Sequence, residues 1–273
     1  MRKIQKINDA WQFIKNCQDP LATEGAVSVL LPHTWNAEDG FDGGNDYFRG
    51  PCLYTKTINK EALGEGLHYV EIRGANSSAD LYLNGEKLYH HDGGYSTWRV
   101  NLTDSLKAGD NTLSIIVDNS ANETVYPQMA DFTFYGGLYR DVYLITVAET
   151  HFDLDCYGAP GIAITPTVNG KDASVEVEVY STDLKDGQSY VYTIFDKEGC
   201  EIEKITSSER KVNFEIKDVH LWHGRRDPYL YCCEAEIVES GEVIDNVCSR
   251  FGCRSFKIDP NNGFILNGEE YPL

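Results

Sequence analysis

The chain has 273 residues, 41% of them hydrophobic and 12% aromatic, which excludes a disordered polymer and gives enough apolar surface for one or two packed cores. Its 43 acidic against 24 basic residues set a formal net charge of −19, which argues against nucleic-acid backbones and anionic membrane surfaces as partners. Residues 1–10 carry basic side chains with no apolar run behind them, and no stretch reaches the length of a membrane span, so a cytoplasmic protein is expected.

In chain order, residues 9–17 read as a short helix. Alternating strands follow over 53–58, 68–73, 79–83, 111–117 and 141–147. Two long loops rich in aromatics and glycine, at 31–50 and 121–137, interrupt this first series. A second series begins near residue 151: in Ala173–Tyr180 the valines fall on every second position beside a Glu face, and 190–195, 211–216 and 231–237 repeat the habit. Turn signals separate the runs, among them Asn84-Gly85, Asn169-Gly170, Asp186-Gly187 and Glu198-Gly199. Many short strands at this spacing predict an all-β chain of two sandwiches, the second of about 100 residues and of immunoglobulin-like size. Phe264-Ile265-Leu266 followed by Asn267-Gly268 predicts a hairpin whose return strand, from Tyr271, runs out at Leu273. A further domain is therefore expected beyond the last residue, and the chemistry with it.

The eight cysteines (17, 52, 156, 200, 232, 233, 248 and 253) are scattered, several inside strand-like runs, and are expected to be free and mostly buried thiols. His220 and His223 lack accompanying acidic or thiol ligands in zinc spacing and are expected to line a turn. The sequons at Asn76, Asn101 and Asn122 are read as chance. The long loops carry the functional interest, because aromatic faces stack on sugar C–H surfaces while carboxylates and amides bind hydroxyls.

At these loops the chain resembles glycoside hydrolase family 2. The resemblance rests on Leu31-Pro32-His33-Thr34-Trp35, on Tyr47-Phe48-Arg49-Gly50 with Leu53-Tyr54-Thr55-Lys56, and on Tyr82-Leu83-Asn84-Gly85. It continues through residues 136–142 (Gly-Gly-Leu-Tyr-Arg-Asp-Val), Leu221-Trp222 with residues 227–231, and the closing passages 251–256 and 264–268. It implies a jelly-roll sugar-binding domain over 1–148, an immunoglobulin-like domain over 149–257, and residues 258–273 leading into a catalytic (β/α)₈ barrel that is not in the sequence. Family 2 enzymes are retaining glycosidases with two catalytic glutamates on that barrel, so no catalytic residue is expected here. The loop 41–50 is most similar to β-galactosidases, with β-glucuronidases and β-mannosidases sharing the scaffold.

What the resemblance implies for this chain is one wall of a pocket for a terminal β-galactoside, support for the barrel of the same protein, and subunit contacts in a homo-oligomer. Asp131 matches an aspartate that contacts galactose and a sodium ion; its other reading is a loop cap. Sodium and magnesium are implied for the full enzyme and no cofactor for this portion. Tyr47 and Arg49 match a pocket-lining segment, although Arg49 also suits an ion pair with an acidic neighbour such as Asp46. An ion pair between Arg140 and Asp141 is expected, and His33 and Trp35 are read as loop anchors. The alternative from another class is a stand-alone carbohydrate-binding module in which Tyr95, Trp98 and the loop aromatics stack on sugars.

Overall fold

The computed structural model describes residues 1–273 apart from 40–45, 127–129, 131 and 157. The described residues are almost entirely β-structure and fall into two compact units, residues 3–147 and residues 148–273 together with Met1 and Arg2.

The first unit carries, in chain order, β1 (Lys3–Lys6), β2 (Trp11–Lys15), β3 (Val27–Val29), β4 (Pro51–Asn59), β5 (Leu67–Ile72), β6 (Ser78–Leu83), β7 (Glu86–Asp92), β8 (Trp98–Asn101), β9 (Asp110–Asp118) and β10 (Val142–Val147). Among the described residues these form a jelly-roll sandwich of two antiparallel sheets, ordered β1-β10-β5-β8 and β3-β2-β4-β9-β6-β7. Period 2 decides which side chains face inward. On β6, Ala79, Leu81 and Leu83 are buried while Ser78, Asp80 and Tyr82 stay partly open. Trp11, Tyr54, Ile72, Leu113 and Leu138 join these in one apolar core.

Residues 9–17 are not a helix. Trp11 and Phe13 are buried and Gln12 is exposed, a two-residue rhythm, and β2 pairs with both β3 and β4. Ala10 and Asn16, both at positive φ, bracket the strand and turn the chain at each end. A helix of nine residues has little stability of its own, whereas the strand completes two ladders. The indole N–H of Trp11 donates to Ile7 O at 2.6 Å, so the buried ring leaves no orphan donor.

The second unit carries β11 (Ile162–Asn169), β12 (Asp172–Val179), β13 (Gln188–Phe195), β14 (Glu201–Ser207), β15 (Lys211–Ile216), β16 (Tyr231–Glu239) and β17 (Glu242–Phe251). A three-stranded sheet β11-β12-β15 and a four-stranded sheet β14-β13-β16-β17 make the immunoglobulin-like sandwich. Ala173, Val175, Val177 and Val179 meet Tyr190, Tyr192, Phe214 and Ile237 in its core. Then come β18 (Phe256–Asp259), β19 (Gly263–Leu266) and β20 (Glu269–Glu270), a small meander. Asn267 and Gly268, at φ of +51° and +85°, form the tight turn. The return strand starts at once with Glu269 and Glu270 paired to Leu266 and Ile265, rather than at Tyr271.

The thiol expectation needs correction at one pair. Cys232 and Cys248 lie diagonally on the outer face of β16 and β17, with Cα atoms 6.8 Å apart, and are joined as a disulfide. Of the free cysteines, Cys52, Cys233 and Cys253 are buried, and desolvation pushes the first two thiols up to about 12 and the third to about 11. Cys17 and Cys156 are half-buried and Cys200 is exposed.

Within the second unit the start of the chain is clamped by charge. Arg2 donates from Nε and Nη2 to the two carboxylate oxygens of Asp245, each at 2.9 Å, and from Nη2 to Phe152 O. The Phe152 amide donates to the same carboxylate at 2.8 Å, and Asp245 is fully buried. Removing one partner of a buried, bidentate pair strands the other charge away from water. Asp245→Ala is expected to destabilise the second unit by about 3–5 kcal/mol, read from the urea midpoint of its unfolding transition.

Candidate functional site

The loops after β3 and β9 meet at one end of the first sandwich, and a polar knot holds them. Asn36 is fully buried. Its Nδ2 donates to both carboxylate oxygens of Asp39 (3.1 and 3.2 Å) and to Phe48 O (3.0 Å). Its Oδ1 accepts the Gly136 amide at 2.8 Å and Nδ2 of Asn119 at 3.2 Å. Asn119, equally buried, accepts the Gly50 amide at 3.0 Å, and Asp39 accepts the Phe48 amide at 3.0 Å. Two carboxamides thereby satisfy backbone groups that would otherwise be stranded without water. Gly136 is required by close approach, since a Cβ there would sit 2.1 Å from Cζ2 of Trp35.

His33 and Trp35 anchor the first loop. His33 Nδ1 shares a hydrogen bond of 2.8 Å with the Tyr54 hydroxyl, burial lowers its imidazole pKa, and Phe13, Trp35 and Tyr54 pack as an aromatic cluster around it. Tyr47 ties the two loops together: its ring is nearly buried and its hydroxyl accepts the Phe134 amide at 3.3 Å. The Arg49 guanidinium lies 4.5 Å from the Tyr47 ring centroid, a cation–π contact. Asp46 spends one carboxylate oxygen on the Tyr47 amide at 2.9 Å. Asp131, and residues 41–45 of the loop that resembles β-galactosidases, lie outside the described residues.

Above the knot stands an aromatic rim. Tyr95, 58% exposed, stacks on Tyr126 at 4.9 Å, Tyr126 neighbours Phe134 at 6.1 Å, and Phe134 neighbours Phe132, 63% exposed, at 4.9 Å. The Tyr126 hydroxyl donates to Asn76 Oδ1, while Asn76 Nδ2 donates to Tyr135 O at 2.8 Å. Burial and the neighbouring Tyr95 push the Tyr126 phenol above its ordinary value, so it stays a neutral donor. The Tyr139 hydroxyl donates to Gly94 O, and Arg140 Nη1 to Tyr95 O at 3.1 Å. The exposed rings give flat apolar faces beside main-chain polar groups, which suits the C–H face and hydroxyls of a sugar. Trp98 does not belong to this surface: it is buried, with Tyr89 and His91 stacked on it.

The anticipated Arg140–Asp141 ion pair does not form. Asp141 instead takes Lys6 at 3.1 Å, Asn8 Nδ2 at 2.6 Å and the Tyr143 hydroxyl at 2.8 Å, because successive residues point to opposite sides of an extended chain. His220 bonds Asp227 at 2.6 Å and stacks on Tyr229, and His223 approaches Glu269 at 3.5 Å. Among the described residues, no group of three or more His, Cys, Asp or Glu side chains is arranged to hold a metal ion. No helix among them is long and apolar enough to cross a membrane.

Two family models match the chain. Residues 46–148 match the sugar binding domain of glycosyl hydrolases family 2, and residues 160–254 match a second domain of glycosyl hydrolases family 2. The chain belongs to glycoside hydrolase family 2. The family 2 β-sandwiches are thus those described above, the aromatic rim lying on the sugar binding domain. A β-glucuronidase of Bacteroides fragilis is 32% identical over 284 residues, covering 98% of this chain and 40% of the relative. A β-galactosidase of Thermoanaerobacter pseudethanolicus is 26% identical, covering 98% and 36%. The crystal structure of an FMN-binding β-glucuronidase from Facaelibacterium prausnitzii L2-6 superposes with a TM-score of 0.91 at 38% identity, over 100% of this chain and 42% of that one. The chain therefore spans about two fifths of the length of these relatives.

Asn36→Ala removes the acceptor of the Gly136 amide, and amide hydrogen exchange at Gly136 is expected to accelerate at least about tenfold. Hydrogen bonds from Asn8, Tyr143 and Lys6 hold the Asp141 carboxyl down at about 2, against an ordinary 3.8. A depressed folded-state value contributes stability above the unfolded value and loses it as pH falls through the folded one. Asp141→Asn is expected to flatten the fall of the urea midpoint between pH about 4 and about 2.

Proposed function

We infer that this chain is the non-catalytic front portion of a retaining family 2 glycosidase acting on terminal β-linked sugars. The first sandwich contributes one wall of the sugar pocket, and the second sandwich with its meander leads towards and supports a catalytic barrel. The observation that carries this reading is the rim whose exposed rings are Tyr95 and Phe132, at one end of the matched sugar binding domain and braced by the Asn36–Asn119 knot. Exposed rings on rigid backing are a poor use of a monomer's surface unless something covers them. Tyr47 and Arg49 shape the wall from behind, and Asp131 is assigned the sugar contact, with a sodium ion beside it in the full enzyme. Homo-oligomeric contacts belong to the same reading.

The sugar is a terminal β-galactoside on the similarity of residues 41–50 to β-galactosidases. A specific observation favours a second reading, a β-glucuronide. The B. fragilis and F. prausnitzii proteins, 32% and 38% identical, bear the name β-glucuronidase, against 26% for the T. pseudethanolicus β-galactosidase. Purified alone, the chain is expected to release no nitrophenol from nitrophenyl β-galactoside or β-glucuronide. The product of the gene containing it should cleave one of the two, and Asp131→Ala in that product should lower kcat/KM by about tenfold or more. Turnover by the isolated chain, or an unchanged kcat/KM in the variant, would overturn the assignment concerned.

A further inference from the structure

The six-stranded sheet has a second face, turned away from the core. There β6 presents Ser78, Asp80 and Tyr82, while register sets Asp80 between His90 on β7 and Ile116 on β9, and Ser78 between Asp92 and Asp118. The segment joining β2 to β3 runs along this face. The Cys17 amide donates to Pro51 O at 3.0 Å and the Ser114 hydroxyl to Pro20 O at 2.6 Å. Between segment and sheet opens a cleft of about 340 Å³, with Gln18, Ser78, Tyr82, His90 and Asp118 around a floor of Pro51 and Ile116.

We propose that this cleft is a binding site for a neutral mono- or disaccharide. The volume lies at the small end of ligand pockets, which run from about 300 to 1,000 Å³. Its chemistry is that of sugar recognition. An aliphatic floor with a tyrosine at its edge accepts the C–H face of a pyranose, and planar amide and carboxylate groups take the hydroxyls. Hydrogen-bonding capacity is left over where a ligand would need it. One Asp118 oxygen accepts the Ser120 amide at 2.7 Å, and among the described residues the other oxygen and the Gln18 carboxamide have no side-chain or backbone partner.

Charge selects among sugars. Lys87 and His90 sit at 2.8 and 2.6 Å from Asp80, and His90 reaches Asp92 at 3.3 Å, so those carboxylates are matched locally. Asp118 makes no ion pair with a described residue, and the whole chain carries −19, so a uronate is repelled where a neutral hexose is not. None of the cleft residues belongs to the loops 31–50 and 121–137. The proposal therefore stands independently of the aromatic rim.

The test is a titration of the isotopically labelled chain, followed by amide NMR, with methyl β-galactopyranoside, cellobiose and methyl β-glucuronide. Saturable shifts are expected at Ser78, Tyr82 and Asp118 for at least one neutral probe, with a Kd of about 1–10 mM. The glucuronide is expected to bind at least about fivefold more weakly at low salt. Gln18→Ala, at an exposed position, and Tyr82→Ala should each weaken the neutral probe by about fivefold or more without moving the urea midpoint by more than about a tenth. Absence of saturable shifts in the cleft, equal or tighter binding of the glucuronide, or wild-type affinity in Gln18→Ala and Tyr82→Ala would overturn the proposal. Shifts confined to residues 132–137 would do so too, while leaving the rim's assignment intact.

Discussion

A carboxamide sealed from water has to find its hydrogen bonds inside the protein, and Asn36 meets that demand by binding three segments at once. The constraint works in both directions. Because the amide is satisfied only when Phe48, Gly136 and Asn119 are in place, the loops after β3 and β9 have one low-energy arrangement rather than many. The arrangement fixes Trp35 against Gly136, leaving no room for a Cβ, and brings the Tyr47 hydroxyl under the Phe134 amide. Exposed aromatics thus sit on a rigid base, which keeps the conformational cost of meeting a sugar small.

The interior strands were the legible part of the fold. In β6, β12, β15 and β16 the apolar residues fall on every second position, and a one-residue slip would bury Asp80 or Glu176, so the sequence admits a single facing. Edge and outer strands were not legible. β1 reads Lys-Ile-Gln-Lys and all four residues are exposed, while β14 alternates Glu and Lys with isoleucines that are partly open. Such strands exist because a neighbour offers a ladder, a cause located elsewhere in the chain. The misread helix over 9–17 is the same lesson, since Trp11 and Phe13 suit either period over so short a run and only pairing with β3 and β4 settles it.

Family resemblance found the loops, yet the residues that organise them were visible only in part. Tyr47 was singled out for sugar contact and lies nearly buried as a bridge between loops. Asn119 lies just past Asp118, the last residue of β9, and nothing in the local sequence marks it as a loop anchor. Its partner is 83 residues away, a separation that no local pattern encodes. The disulfide between Cys232 and Cys248 was missed for a related reason: the 16-residue spacing means nothing until the hairpin register sets the two side chains on one face.

The clamp on Arg2 has a bearing on how the molecule is made. Its partner Asp245 leaves the ribosome 243 residues later, after everything that builds the first sandwich. Until then the guanidinium stays in water, and the immunoglobulin-like unit closes around its own charged carboxylate only when two segments 243 residues apart meet. A body otherwise continuous from position 148 is thus completed by two residues that stand, in sequence, on the far side of the whole first sandwich.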